Sequence, residues 1–295
     1  MTIEKLHPNE ADISISLVSD LLNEQFPQWS NLPIHLITAS GTDNALFKLG
    51  DDFVVRLPRI EGAIAQISQD RTWLPKLASK LPVVIPEQMA LGEPSAEYPF
   101  SWSVYRWIGG KTADIDSLPQ PEQTAGALAS FIKTLRAIDP TNGPMEGYRG
   151  RPVHLRDQWT RESINELANL IDTQKAIRIW EETIEAADWD GPPTWFHGDL
   201  MPGNLLFEDD KLKAAIDWGV MGVGDPAIDL IVAWFLLPPP SRAIFREEMG
   251  VSEDEWLRGR GWALSIAAGY IPYYRHTQLP GVGYCRRALI EILNA

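Results

Sequence analysis

Cysteine is nearly absent from this chain: one thiol, Cys285, stands among 295 residues, so no disulfide can form within it. That excludes a disulfide-stapled secreted scaffold and fits a reducing compartment. Long apolar runs are missing too. The longest, Ile231 to Leu237, falls far short of the roughly 18 residues a membrane span requires. Basic side chains are in deficit, 26 against 40 acidic ones, for a formal net charge of −14. Such a balance repels a phosphate backbone and argues against nucleic acid as a partner, whereas a cationic small molecule would be drawn to it. The opening stretch MTIEKLHPNEADIS is polar and acidic rather than leader-like, so the expected location is cytoplasmic.

What is present divides into two compositional regions. Ile15–Phe26 reads as a helix. After it, short apolar runs at His35–Thr38, Ala45–Leu49 and Phe53–Leu57 are separated by the turn formers SGTDN and LGDD, the pattern of an antiparallel meander. A helical stretch follows over Ala63–Ser79, then VVI between Pro82 and Pro86, and an apolar strand at Ser101–Ile108 that stops at Gly109-Gly110. Beyond that point helical periodicity dominates, over Glu122–Ala137, Leu155–Leu170, Thr173–Ala187, Pro226–Leu236 and Glu253–Ala268. One interruption, Trp195 to Trp218, reads as a hairpin turning at Glu208-Asp209-Asp210. The expected organisation is a first lobe over 1–108 and a second over 109–295, with Gly109-Gly110 as the hinge.

The hairpin region carries the chemistry. It reads Phe196-His197-Gly198-Asp199-Leu200-Met201-Pro202-Gly203-Asn204, then Ala215-Ile216-Asp217-Trp218. Phosphoryl transfer asks a protein for a group that orients or accepts a hydroxyl proton and for oxygen ligands to a magnesium ion on the nucleotide phosphates. Asp199 can supply the first. Asn204 and Asp217 can supply the second, since an amide oxygen and a carboxylate suit a hard cation that keeps several waters. Asn204 enters the first strand of the hairpin and Asp217 ends the second, so both reach the same end of the ribbon. His197 reads as a brace for the loop.

The order H-G-D-x-x-x-x-N followed by I-D resembles the catalytic loop and metal-binding aspartate of the aminoglycoside phosphotransferase family, relatives of choline kinases and protein kinases. Gly224-Asp225-Pro226-Ala227-Ile228-Asp229-Leu230 resembles that family's G-D-P-x-x-D-L continuation. There Asp225 suits an N-cap, Pro226 the first helical position and Asp229 the first turn, all three as anchors for the catalytic segment. The resemblance implies a two-lobed, protein-kinase-like α+β fold with a small antiparallel-sheet N-terminal lobe and a mainly helical C-terminal lobe. It implies Mg2+ and ATP or GTP as phosphoryl donor. It also implies nucleotide contacts. Ser40 and Thr42 would lie in the phosphate-covering loop, and Arg56 would grip the α- and β-phosphates from the strand Phe53–Pro58. Asp70 would hold that cation, and the segment containing Tyr105 and Trp107 would bind adenine. The acceptor implied is a hydroxylated small molecule, an aminoglycoside- or macrolide-type antibiotic, with choline, sugars and amino alcohols as alternatives. Its pocket would be drawn from Trp256, Trp262, Tyr270, Tyr273 and Tyr274 together with the acidic run Glu253–Glu255.

Rival chemistries fit less of the chain. Gly109-Gly110-Lys111-Thr112 ends like a phosphate-binding loop of the form G-x-x-x-x-G-K-S/T, but its first glycine would fall on Tyr105. A hydrolase using Asp199 and Asp217 as a carboxylate pair leaves Asn204 and Arg56 without a role. A nucleotide-binding pseudokinase would require the loss of Asp199, Asn204 or Asp217, and all three are there.

Overall fold

A computed structural model of the chain describes residues 5–6, 10–37, 43–145, 147–277 and 279–295. It divides into two compact units. One runs to Ala78 and resumes over Ile85–Gly109; the other takes Ser79–Val84 and Gly110–Ala295.

In the first unit β1 (Ile34–Ile37), β2 (Asn44–Leu49) and β3 (Phe53–Pro58) form a meander. With β4 (Gln88–Gly92) and β5 (Trp102–Arg106) they build an antiparallel sheet in the order β1-β2-β3-β5-β4. The edge strand β4 had no counterpart in the sequence reading. It lacks β-branched residues, and its register with β5 slips between Gln88 and Ala90. Helix α1 (Ile15–Gln25) starts at Ser14, whose hydroxyl accepts the Leu17 amide at 3.2 Å. Its face of Leu17, Val18, Leu21 and Leu22 joins Phe47, Leu49, Val55 and Trp102 in one core. Helix α2 (Ile64–Ala78) completes the unit.

The second unit is mainly helical: α3 (Pro121–Arg136), α4 (Asp157–Glu166), α5 (Thr173–Glu185), the short α6 (Val232–Phe235), α7 (Pro239–Met249), α8 (Glu253–Tyr274) and α9 (Pro280–Leu293). Two small ribbons interrupt it. β6 (Thr194–Phe196) pairs with β9 (Gly222–Gly224), and β7 (Leu205–Glu208) pairs with β8 (Lys211–Ala215). The β7–β8 turn is made by Asp209 and Asp210 at φ 50° and 61°, the two left-handed residues of the tight hairpin turn that matches strand twist. Val84 runs alongside β8, donating to the Lys213 carbonyl at 2.9 Å and accepting from the Ala215 amide at 3.0 Å. That pairing is why Ser79–Val84 clusters with the second unit.

The α+β architecture is the expected one, and several boundaries differ. The stretch expected as one helix over Pro226–Leu236 begins as a 3-10 turn, Pro226–Ile231, before α6. The helix expected from Leu155 begins as a 3-10 turn at Val153–Arg156, and α4 stops at Glu166. Helix α8 continues past Ala268 to Tyr274, through a glycine and a proline that read as breakers. Gly269 is there for contact: a Cβ at that position would stand 1.9 Å from the Trp159 ring. Helices α7 and α9 open on proline, which serves the first turn well and hid both from a periodicity reading. Cys285 lies fully buried on α9.

The second unit is tied together by buried charge. Arg258 of α8 donates through Nε to Asp225 Oδ2 at 2.8 Å, with side chains 3% and 5% exposed. Breaking such a pair leaves the other charge stranded and costs about 3–5 kcal/mol. Arg258→Ala should therefore lower the urea midpoint steeply, whereas Arg246→Ala, which removes an exposed partner of Glu253, should cost less than about 1 kcal/mol. Equal losses in the two variants would refute the anchoring role of Asp225.

Candidate functional site

The loop after β6 is shaped by a single buried carboxylate. Asp229 accepts the His197 amide on Oδ2 at 2.9 Å and the Gly198 amide on Oδ1 at 2.7 Å. Burial pushes its pKa up to about 6, opposed by those two amides and by the charges of Arg136 and Arg149. Gly198 is required by the turn it makes, with φ 84° and a missing Cβ that would stand 2.7 Å from the Val220 carbonyl oxygen. His197 is fully buried, and burial pulls its imidazole down to about 4, so the ring is neutral. Its Nε2–H donates to the Ile216 carbonyl at 3.0 Å, and Nδ1 accepts the Asp199 amide at 3.2 Å. The ring also lies 4.6 Å from that of Trp218. It braces the loop from within.

These constraints deliver Asp199, Asn204 and Asp217 to one place. Asn204 closes a 3-10 turn at the mouth of β7 and donates its side-chain nitrogen to the Asp199 carbonyl at 2.9 Å and to Oδ2 at 2.8 Å. The Asn204 backbone carbonyl accepts the Ile216 amide at 2.9 Å, so Asp217 leaves β8 at the end of the ribbon where Asn204 enters. Asp217 sits at φ 61°, a conformation uncommon outside glycine and concentrated at functional positions. The donor set suits a hard cation. Asn204 spends its nitrogen on Asp199 and keeps a carbonyl oxygen, and Asp217 offers a carboxylate. Among the described residues no group of three or more His, Cys, Asp or Glu side chains forms a closed cage. A cation here would share its shell with water and phosphate, as Mg2+ does.

In the first unit Arg56 and Asp70 meet. Arg56 Nη1 donates to Asp70 Oδ2 at 3.0 Å, and Nη2 donates to Gln66 Oε1 at 2.5 Å. Tyr105 completes the cluster, its hydroxyl donating to Asp70 Oδ2 at 2.7 Å. Burial first, and the Asp70 charge second, push the Tyr105 phenol well above its ordinary range. The Tyr105 side chain thus serves the cation's partner. Trp107 is apart from that cluster: its amide donates to the Asp52 carbonyl at 2.7 Å, and Lys48 Nζ lies 3.8 Å from its ring centroid. Ser40 and Thr42 lie outside the described residues.

Two members of the acidic run expected near the acceptor, Glu253 and Glu255, pair with arginines. Glu255 accepts from Arg136 Nη1 at 2.8 Å, and Glu253 pairs with Arg246. Their positions follow from Ser252, whose hydroxyl accepts the Glu255 amide at 3.1 Å and caps α8. Of the aromatic candidates, Trp262 is fully buried, Trp256 and Tyr274 are 8% exposed, and Tyr273 faces out at 58%. Trp256 and Trp262 are core. Sequence reasoning missed Gln66 and, more consequentially, Arg149, whose Nη2 lies 3.6 Å from Asp199 Oδ1. No motif marks it, because it comes from an irregular connection.

A family model described as "Phosphotransferase enzyme family" matches residues 36–262. The chain belongs to that family. Curated relatives include the aminoglycoside 3'-phosphotransferases of Escherichia coli and Salmonella typhimurium, each 26% identical over 140 residues, or 45% of this chain and 52% of the relative. The chain therefore spans about half the length of the curated relatives it matches. Among solved structures, the GDP complex of wild-type aminoglycoside 2'-phosphotransferase-IIIa is similar at TM-score 0.72 and 18% identity, covering 96% of this chain and 99% of that one. Macrolide 2'-phosphotransferase type I is similar at TM-score 0.64 and 17% identity, covering 95% and 98%. At such identities the likeness establishes the shared fold.

His197 gives a pH test of the brace. Its folded-state pKa, about 4, lies below the ordinary 6.5, so the unfolded chain takes up a proton first as pH falls. The stability His197 contributes is complete above about pH 6.5 and is lost toward pH 4. Asp229, raised to about 6, acts in the opposite sense over an overlapping window. The stability difference between wild type and His197→Gln isolates the histidine. It should narrow by about 3 kcal/mol from pH 7 to pH 4 at 1.36 kcal/mol per unit. A constant difference across that range would show that the imidazole is not held neutral.

Proposed function

We propose that this chain is a small-molecule O-phosphotransferase. It moves the γ-phosphoryl group of ATP or GTP onto a hydroxyl of an aminoglycoside- or macrolide-type antibiotic. The observation that carries this reading is the Asp199 carboxylate. It is fixed at its backbone by His197 and tethered through Oδ2 to Asn204, at the ribbon end where Asp217 departs with φ 61°. The names of the curated relatives, and of solved structures bound to GDP and kanamycin, support the donor and acceptor classes.

In this mechanism Asp199 orients the acceptor hydroxyl and takes its proton as the oxygen bonds to the γ-phosphorus. The bond from that phosphorus to the bridging oxygen breaks, and the nucleoside diphosphate departs with its electron pair. Asn204 and Asp217 would hold Mg2+, which neutralises phosphate charge when bound. Arg56, oriented by Asp70 and Gln66, would pair with the non-transferred phosphates. With Glu253 and Glu255 engaged by arginines, an amine on the acceptor rests on the net charge of −14. A reducing cytoplasm suits the single buried thiol.

Asp199→Asn tests the central role. Its kcat for phosphorylated acceptor should fall by about 10²–10⁴-fold, because an amide keeps the shape but cannot take the proton. The Kd for the Mg2+–nucleotide should stay near wild type. A parallel fall in both would recast Asp199 as a structural or metal-binding group, and a fall in neither would remove the phosphotransferase assignment. Asp217→Ala should do the reverse and weaken nucleotide binding in calorimetric titrations with Mg2+. Unchanged affinity and rate would exclude it as a ligand.

A further inference from the structure

We infer that Arg149 is a positioning residue for the Asp199 carboxylate, an inference that rests on Asp199 being the group that takes the acceptor's proton. Arg149 lies in the connection between α3 and the 3-10 turn at Val153, a stretch without regular structure. Its backbone is nevertheless fixed. The Pro144 carbonyl accepts the Val223 amide and the Gly150 carbonyl accepts the Asp225 amide, each at 2.8 Å, so the connection is laced along β9. Gly150 holds φ 64°, and a Cβ there would stand 2.1 Å from the Phe196 ring. The residue before it is thereby seated against the stretch that ends in Asp199.

The side chain is held as firmly as the backbone. It is 10% exposed, with its guanidinium carbon 4.9 Å from the centroid of Tyr148. The same ring lies 5.2 Å from the guanidinium carbon of Arg156, which is itself anchored through Nε to Ser265 Oγ at 2.9 Å. Nε and Nη1 of Arg149 are buried with no hydrogen-bond partner among the described residues. Burying a guanidinium on those terms is costly, and its other acidic neighbour, Asp229, already takes two backbone amides. What it does reach is Asp199. Nη2 stands 3.6 Å from Oδ1, while Oδ2 is taken by Asn204 at 2.8 Å. At 3.6 Å the guanidinium acts on Oδ1 through its charge rather than through a hydrogen bond of its own. The carboxylate is thus oriented by an amide on one oxygen and a guanidinium on the other.

A double-mutant cycle tests this on the full chain, with single-turnover transfer of labelled γ-phosphate to an accepted antibiotic. Arg149→Met keeps the apolar stem and removes the charge. It should lower kcat by about 10–100-fold, the scale of a misplaced catalytic group, with KM for nucleotide and acceptor nearly unchanged. Arg149→Lys should recover part of that loss. In the Asp199→Asn background Arg149→Met should cost almost nothing further, because the group it orients is already gone. An equal loss in both backgrounds, or no loss in wild type, overturns the inference. Retained activity in Asp199→Asn alone instead overturns the reading beneath it. Should Arg149→Met fail to fold, Arg149→Gln carries the same cycle with the same expectations.

Discussion

One carboxylate facing two consecutive amides organises the second unit. Asp229 is fully buried, and its charge is tolerated because both oxygens accept from the backbone of His197 and Gly198. That contact sets the plane of the peptide before Asp199, and the imidazole of His197 then fixes the Asp199 amide and the Ile216 carbonyl together. The two ribbons are locked to one another through that ring. Behind Asp229, Asp225 caps the 3-10 turn and pairs with Arg258, so the turn that carries Asp229 is itself clamped to α8. The chain of dependence runs from a buried helix pairing, through one turn, to the orientation of a single side chain.

The first unit solves a different problem, the holding of a guanidinium in one orientation, which in the proposed function is turned to phosphate. A guanidinium on a strand has many rotamers, and binding would be weakened by the entropy of choosing one. Asp70 and Gln66 on α2 limit that freedom, and Tyr105 adds its hydroxyl to the same carboxylate oxygen. An aspartate is short for this task. It reaches Arg56 because α2 lies close beneath the strand, with Asp70 only 1% exposed.

Much of this was legible in the sequence, and the reasons are local. The meander, the hairpin with its Asp209-Asp210 turn and helices α3, α4, α5 and α8 are encoded by neighbours along the chain. The juxtaposition of Asn204 and Asp217 follows from strand pairing and could be counted from the turn. The pairing of Arg56 with Asp70 was reached through resemblance. The spacing could not show Gln66, because its contact depends on how α2 lies on the sheet. Arg149 was out of reach for the same reason: its position is decided by Gly150 against Phe196 and by β9, contacts between distant segments. Strand β4 and helices α7 and α9 were missed where weak β-formers or an opening proline blurred the period. The arginine partners of Glu253 and Glu255 were likewise invisible, since burial and pairing between distant segments are not written in the residue itself.

The solitary thiol acquires a use from its surroundings. Cys285 is wholly enclosed on α9, and burial, with the nearby Asp199 charge, pushes its pKa well above the usual thiol range. A closed molecule is therefore silent to disulfide and maleimide reagents, and any labelling reports a moment when α9 has lifted from its seat. Because there is one such group, the kinetics have a single origin. The protein carries its own clock for local unfolding near Asp199, read by mass or absorbance as the reagent couples.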